Sequence, residues 1–176
     1  MQLIPMVLGP LGLLIATALG SAHAAASRSA QEIVAQLNLI PNEEKGYYVQ
    51  TFEDPESILR TSTNTTRSAS TEIYYLLEGA VGASYWHRVD AVEVWHYYAG
   101  APLTLSLSNN DGKPPVEKVL GPDVFNNQQP QIAIPKGTWQ SALSNGEWTL
   151  VGTTVAPGFV PEGEELPSPG WKPNGA

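Results

Sequence analysis

The sequence predicts an all-β sandwich or barrel preceded by one short helix, and three observations carry that expectation. Short runs rich in β-branched and aromatic residues recur from Gly46 onward, divided by Gly, Pro, Asn and Asp. Leu103, Leu105 and Leu107 alternate with Thr104, Ser106 and Ser108, the period of a strand with one buried face. Helical spacing is confined to residues 29–39, where Ile33, Val34 and Leu37 share a side.

Taken in order, residues 1–24 read as a secretory signal peptide: an apolar run ends in Ser21-Ala22-His23-Ala24, with small residues at −3 and −1 of a cleavage site. Pro10 breaks the run, which argues against a stable membrane span. The expected product is secreted or extracytoplasmic and has no membrane attachment once the leader is removed. Ser29 is the expected N-cap of the helix, Glu32 completes a capping box, and Pro41 is the expected stop. Strands are expected over 47–52, 72–77, 92–98, 103–107, 131–134 and 148–155. Asn109-Asn110-Asp111-Gly112 supplies a hairpin turn suited to positive φ. Residues 60–71, rich in Ser, Thr and Asn, read as a mobile loop and a candidate lid. Residues 161–176 read as a flexible acidic, Pro-rich tail with little to bury. One domain is therefore expected over 28–160.

Composition narrows the chemistry. The chain has no cysteine, which removes disulfides, thiolate catalysis and Cys-ligated zinc or iron–sulfur centres. Its formal charge of −8, with only nine Lys plus Arg, argues against nucleic acid as a partner. Asn64-Thr65-Thr66 forms a glycosylation sequon at Asn64, usable in a eukaryotic secretory route.

The residues that carry chemistry concentrate in Trp86-His87-Arg88-Val89-Asp90-Ala91-Val92-Glu93-Val94-Trp95-His96-Tyr97-Tyr98-Ala99-Gly100. This stretch holds both histidines that follow the leader. Period two puts Glu93, Trp95 and Tyr97 on one strand face and His96 on the other. A turn at 89–91 would set His87 on the neighbouring strand, beside Glu93. A Glu on an aromatic strand face needs a partner or a function, because burying it unpaired is costly. Pro135-Lys136-Gly137-Thr138-Trp139-Gln140 looks like the opposite wall of the same pocket. The bland alternatives are a hydrogen-bonded histidine at the barrel mouth, a Gln140 bonded to backbone, and Trp95 and Trp148 as plain core.

These residues carry a resemblance. Gly82, His87, Glu93 and Gly100 resemble the first motif of the RmlC-like cupin superfamily, which runs Gly, His-x-His, then Glu and, beyond six residues, Gly. Pro135-x-Gly137-x-x-Gln140 resembles the second motif. The phrases at 73–79, 86–100, 119–123, 135–140 and 149–159 are similar to the fifth cupin family, a domain of unknown function found in small bacterial and fungal proteins. The resemblance covers about residues 30–165. It implies a double-stranded β-helix, the cupin jelly-roll barrel, with a short N-terminal helix, commonly as a homodimer.

Departures from the general motifs limit what carries over. Val89 stands where the second His would be, Gln140 where the later His would be, and the spacing from Gly82 to His87 is one residue short. A cofactor is not favoured. A divalent metal (Fe, Mn or Zn) would have to use His87, Glu93 and Gln140, and a Gln amide is a weak neutral ligand. The favoured reading is a small-molecule pocket in the barrel, with isomerase or epimerase chemistry on a carbonyl compound or sugar derivative. In it His87 is the general base, Glu93 or Asp90 orients it, and Gln140 donates to the substrate carbonyl. It resembles the metal-free cupin epimerases, which pair a His base with a Tyr acid. Tyr47, Tyr48, Tyr75, Tyr85 and Tyr97 are the candidates for that acid. Tyr48, Tyr75, Tyr85, Trp95 and Tyr97 are expected to contact the ligand. The alternatives are a non-catalytic binding cupin and a metal-dependent oxygenase or isomerase.

Overall fold

The computed structural model describes residues 28–61 and 64–176, so the leader expected at 1–24 lies outside the described residues. Helix α1 spans Ala30–Leu37. Among the described residues thirteen strands follow: β1 Ile40–Pro41, β2 Tyr47–Glu53, β3 Ser57–Arg60, β4 Thr65–Ser68, β5 Thr71–Glu78, β6 Arg88–Val89 and β7 Val92–Gly100, then β8 Leu103–Ser108, β9 Val116–Leu120, β10 Gln131–Ile134, β11 Trp139–Ser144, β12 Trp148–Ala156 and β13 Glu164–Glu165. The larger sheet runs β1-β2-β5-β12-β7-β10, and the smaller one runs β11-β8-β9. Two ribbons, β13-β6 and β3-β4, complete the mostly β architecture of a double-stranded β-helix.

Each sheet turns its apolar rows toward the other. Tyr75, Leu77, Trp95 and Val151 from the larger sheet meet Leu103, Leu105, Leu107 and Ala142 from the smaller. Leu103 and Leu105 are fully buried, as period two requires. The turn after β8 carries Asn110 and Gly112 at positive φ, 57° and 83°.

Helix α1 covers the opposite face of the larger sheet, where Ile33, Val34 and Leu37 pack over Leu76 and Leu150. Ser29 accepts from Glu32 N while the Glu32 side chain accepts from Ser29 N, so both halves of the capping box form. The helix stops before Pro41, because Asn38 takes the left-handed conformation and closes the last turn.

Two segments expected to be loose make contacts with the barrel among the described residues. Residues 60–71 include half of the β3-β4 hairpin, and that hairpin is anchored. Arg60 and Arg67, both nearly buried, converge on Asp90 with N···O distances of 2.5 and 2.6 Å. The pairing is long-range, so a polar composition alone could not reveal it. Residues 161–176 also pack against the barrel. Asp90 N donates to Gly163 O, Arg88 binds Glu165, and Trp171 lies on Trp139 with ring centroids 4.2 Å apart. A Cβ at Gly163 would sit 2.5 Å from Asp90 Oδ1, so the close approach of this segment needs glycine there.

Candidate functional site

A cavity of about 560 Å³ opens on the inner face of the larger sheet. Tyr48 of β2, Ile73 of β5, Thr153 of β12 and Glu93 of β7 form its floor, His87 and Glu44 its polar wall, and Glu164 its cover. Its size falls within the roughly 300–1,000 Å³ usual for small-molecule sites.

His87 reaches the cavity through the smaller sheet, which corrects the expected hairpin with β7. It exchanges both backbone hydrogen bonds with Gln140, at 3.1 and 2.9 Å. The side chain is 3% exposed. Nδ1 lies 3.2 Å from the Tyr85 carbonyl and 3.3 Å from Glu44 Oε2. A carbonyl can only accept, so Nδ1 carries the proton. In the neutral ring the lone pair is then on Nε2, which has no hydrogen-bond partner among the described residues.

Glu93 and Gln140 sit beside His87, and the structure links all three, though in other roles than expected. Gln140 is fully buried. Its Nε2 donates to Glu93 Oε2 at 2.5 Å, and its Oε1 accepts from Trp95 Nε1 at 3.1 Å. Gln140 does not line the cavity, and its oxygen and one of its two N–H groups are bonded to protein, so it meets the cavity only through Glu93. The group beside the imidazole is Glu44. Asp90 is also excluded as its orienting partner, because it is committed to Arg60 and Arg67.

The aromatic residues separate in the same way. Tyr48 alone of the five expected contact residues lines the cavity. Tyr75 and Trp95 are core residues, 2% exposed and packed edge to face. The Tyr75 hydroxyl donates to Lys45 O, and burial followed by Glu44 and Glu93 pushes its ionisation well above the phenol range. Tyr97 donates to Gly100 O at 2.6 Å, and Tyr85 lies under the Lys45 ammonium. Tyr47 accepts from Gln31 of α1. His96, on the outer face, contacts Thr154. Asn64 is exposed next to β4.

Glu44 and Glu164 are the site residues that sequence reasoning missed. Glu44 projects from the turn between β1 and β2, where Asn42 Oδ1 accepts from Glu44 N and Lys45 and Gly46 take positive φ. Glu164 arrives on β13, whose partner strand β6 follows His87. The two carboxyls are neighbours on the cavity, and each acts on the ionisation of the other. Burial, with Glu93 adding to it, raises Glu44 to about 8; burial and then Glu44 raise Glu164 to about 7. Two adjacent carboxyls that resist joint ionisation hold a shared proton near neutral pH.

A pH dependence of stability follows. Both groups are raised above the ordinary carboxyl value of 4.5, so the native chain binds more protons than the unfolded one up to about 7 and about 8. Their contribution is fully present below 4.5 and is lost as pH rises through those two values. Asp90, lowered to about 2 mainly by its bond to Arg67, acts only at lower pH. The melting temperature is expected to fall between about pH 5 and pH 8, and Glu164→Gln to flatten that fall. A melting temperature that rises across this window in the wild type would contradict the shared proton.

The three residues a divalent metal would have to use, His87, Glu93 and Gln140, are bonded within the protein. Gln140 spends both amide atoms on protein partners, and Val89 offers no donor. Among the described residues no three His, Cys, Asp or Glu side chains converge closely enough to hold a metal ion. His87, Glu93 and Gln140 therefore do not make a transition-metal ligand set in this arrangement.

Comparison with known proteins agrees with the architecture. A structure of a hypothetical protein from Leishmania major has a TM-score of 0.71 at 25% identity, covering 78% of this chain and 86% of that one. A protein from Shewanella oneidensis has a TM-score of 0.71 at 30% identity, covering 80% and 85%. A cupin 2 conserved barrel domain protein from Rhodopseudomonas palustris, 14% identical with a TM-score of 0.50 over 74% and 77%, shares the fold alone. No curated protein matches the chain. Residues 31–167 match the family model described as Cupin superfamily (DUF985), and the chain belongs to that family of cupins.

Proposed function

We propose that this cupin binds a small carbonyl compound or sugar derivative in the barrel and moves a proton on the carbon next to the carbonyl, as an isomerase or epimerase does. The observation that carries the reading is the fixed imidazole of His87: Nδ1 is held by Tyr85 O and Glu44, and Nε2 has no protein partner in a lined cavity. A base so placed takes the α proton. The electron pair of the broken C–H bond then moves toward the carbonyl oxygen. The Glu44–Glu164 pair supplies the donor that Gln140 cannot, because its shared proton can be given to that oxygen. Reprotonation of the neighbouring carbon gives isomerisation, and reprotonation of the same carbon on the other face gives epimerisation.

The test is solvent-deuterium exchange into a panel of keto- and aldo-sugars, followed by mass spectrometry. One deuterium at the α carbon, dependent on the protein, is the expected result. Tight binding without exchange across the panel would leave a binding module in place of an enzyme.

A further inference from the structure

We propose that residues 159–176 form a lid over the barrel cavity, latched at Arg88 and Trp139, and that the seam where its Glu164 meets Glu44 opens it as pH rises. The inference concerns access to the cavity and goes beyond the proton-transfer reading, because it holds whether a ligand is turned over or only bound. Phe159, Pro161, Glu164 and Leu166 all line the cavity, so this one segment supplies a side of its wall.

The segment is held weakly for its length. Its strand, β13, pairs two residues with β6, Glu164 with Val89 and Glu165 with Arg88. Each of residues 161–170 is exposed or half-buried. A segment with so few buried contacts opens at lower cost than the barrel it lies on. Three contacts latch it. Arg88 donates twice to Glu165 Oε2, at 2.8 and 2.5 Å, Trp171 lies on Trp139, and Asn174 N donates to Asn110 Oδ1 at 2.7 Å. Trp139 is the centre of the latch, since the Arg88 guanidinium also lies 4.7 Å from its ring. Trp139 is 2% exposed and its Nε1 is buried without a hydrogen-bond partner among the described residues, so the closed latch carries a polar cost.

The seam sets the sign of the pH response. Glu44, on the turn between β1 and β2, meets Glu164 of the lid, and two neighbouring carboxylates repel once both ionise. Glu93 of β7 adds to the repulsion and His87 opposes it. Glu43 lies beside Glu44 on the same cavity. On the other side of β13, Lys136, Arg88 and Asp90 share an open recess with Glu162, Glu164 and Glu165. There Arg88 is taken by Glu165, and Asp90 by Arg60 and Arg67. Burial raises Glu44 to about 8, and burial with Glu44 raises Glu164 to about 7, whereas a lifted lid returns both toward 4.5. The closed lid therefore binds more protons than the open one. Its extra stability is complete below 4.5 and is lost as pH rises through about 7 and about 8.

The experiment is amide hydrogen exchange on the purified chain, with protection corrected for the intrinsic rate. Asp90 N, which donates to Gly163 O at 2.9 Å, reports the lid, and the amides of β8, central in the smaller sheet, report the barrel. Asp90 N is expected to be less protected than β8, and to lose protection at least ~10-fold between about pH 6 and about pH 8.5. Trp171→Ala should lower its protection at both pH values and keep the pH dependence. Glu44→Gln and Glu164→Gln should each remove part of that dependence, and the two together should abolish it. A second readout ties the lid to the cavity. Diethyl pyrocarbonate acylates an unprotonated imidazole nitrogen, and at a fixed pH of about 7.5 Trp171→Ala should speed modification of His87 at least ~10-fold, with His96 unchanged. Asp90 N as protected as β8, no loss of its protection with pH, a dependence that survives the double variant, or a His87 rate unmoved by Trp171→Ala would overturn the proposal. Neither readout involves turnover, so the lid and the proton transfer stand or fall separately.

Discussion

His87→Ala is expected to lower deuterium exchange by about 10²–10⁴-fold, the usual contribution of a positioned general base. The reason is local. The ring is held at Nδ1 by an acceptor that cannot donate, the Tyr85 carbonyl, with Glu44 on the same side. That leaves Nε2 as the basic atom on the cavity. Removing the ring removes the base but leaves Glu44, Glu164 and Tyr48 around the ligand. The loss should therefore appear in kcat, with KM little changed. His87→Gln separates base from scaffold, because its amide can still donate to Tyr85 O but cannot take a proton at neutral pH. It should be as inactive as the alanine variant and more stable. Added imidazole should restore part of the exchange to His87→Ala and none to His87→Gln. Exchange that survives both substitutions would assign the proton transfer to another group.

Gln140→Leu is expected to destabilise the barrel by about 3 kcal/mol, although it replaces a polar side chain with an apolar one in a fully buried position. The cost comes from what is left behind. Glu93 loses the amide that donates to it at 2.5 Å, and Trp95 Nε1 loses its acceptor. Unmatched buried polar groups keep their desolvation penalty, whereas removing both partners can be nearly neutral. Gln140→Leu combined with Glu93→Leu should therefore recover the part of the loss that comes from Glu93, with Trp95 Nε1 still unpaired, giving a coupling energy between neighbours in a double-mutant cycle. For a domain of this size the single variant should lower the melting temperature by roughly 6–12 °C. Additive losses in the double variant would mean that the amide and the carboxyl are independent.

The strands were legible where burial alternates along one segment. β8 shows its period in three leucines, β10 lies at the expected 131–134, and β7 does put Glu93, Trp95 and Tyr97 on one face. The capping box of α1 was legible for the same reason, since its parts are three residues apart. The β3-β4 hairpin was not, because its strands are exposed or half-buried and its anchor is Asp90, distant in sequence. The site was half legible. Motif spacing singled out His87, Glu93 and Gln140, and the structure brings the three together. Spacing gave no sign that the Gln140 amide is bonded to Glu93 and Trp95, because a substituted ligand position says nothing about which neighbour absorbs the amide. Glu44 and Glu164 lie in acidic, Pro-bounded stretches that read like solvated turns. Only the closing of β13 over the mouth turns Glu164 into a cavity residue and raises both carboxyls.

The proposed proton transfer requires His87 to be held with its proton on Nδ1 and its Nε2 lone pair free. Long-range ¹H–¹⁵N correlation spectra of the two histidines that follow residue 24, assigned with His96→Gln, test it directly. The expected spectrum shows His87 in the Nδ1–H tautomer at neutral pH, with an unprotonated Nε2 that responds to a cavity ligand. A His87 found as the Nε2–H tautomer, or averaging freely between the two, would contradict it.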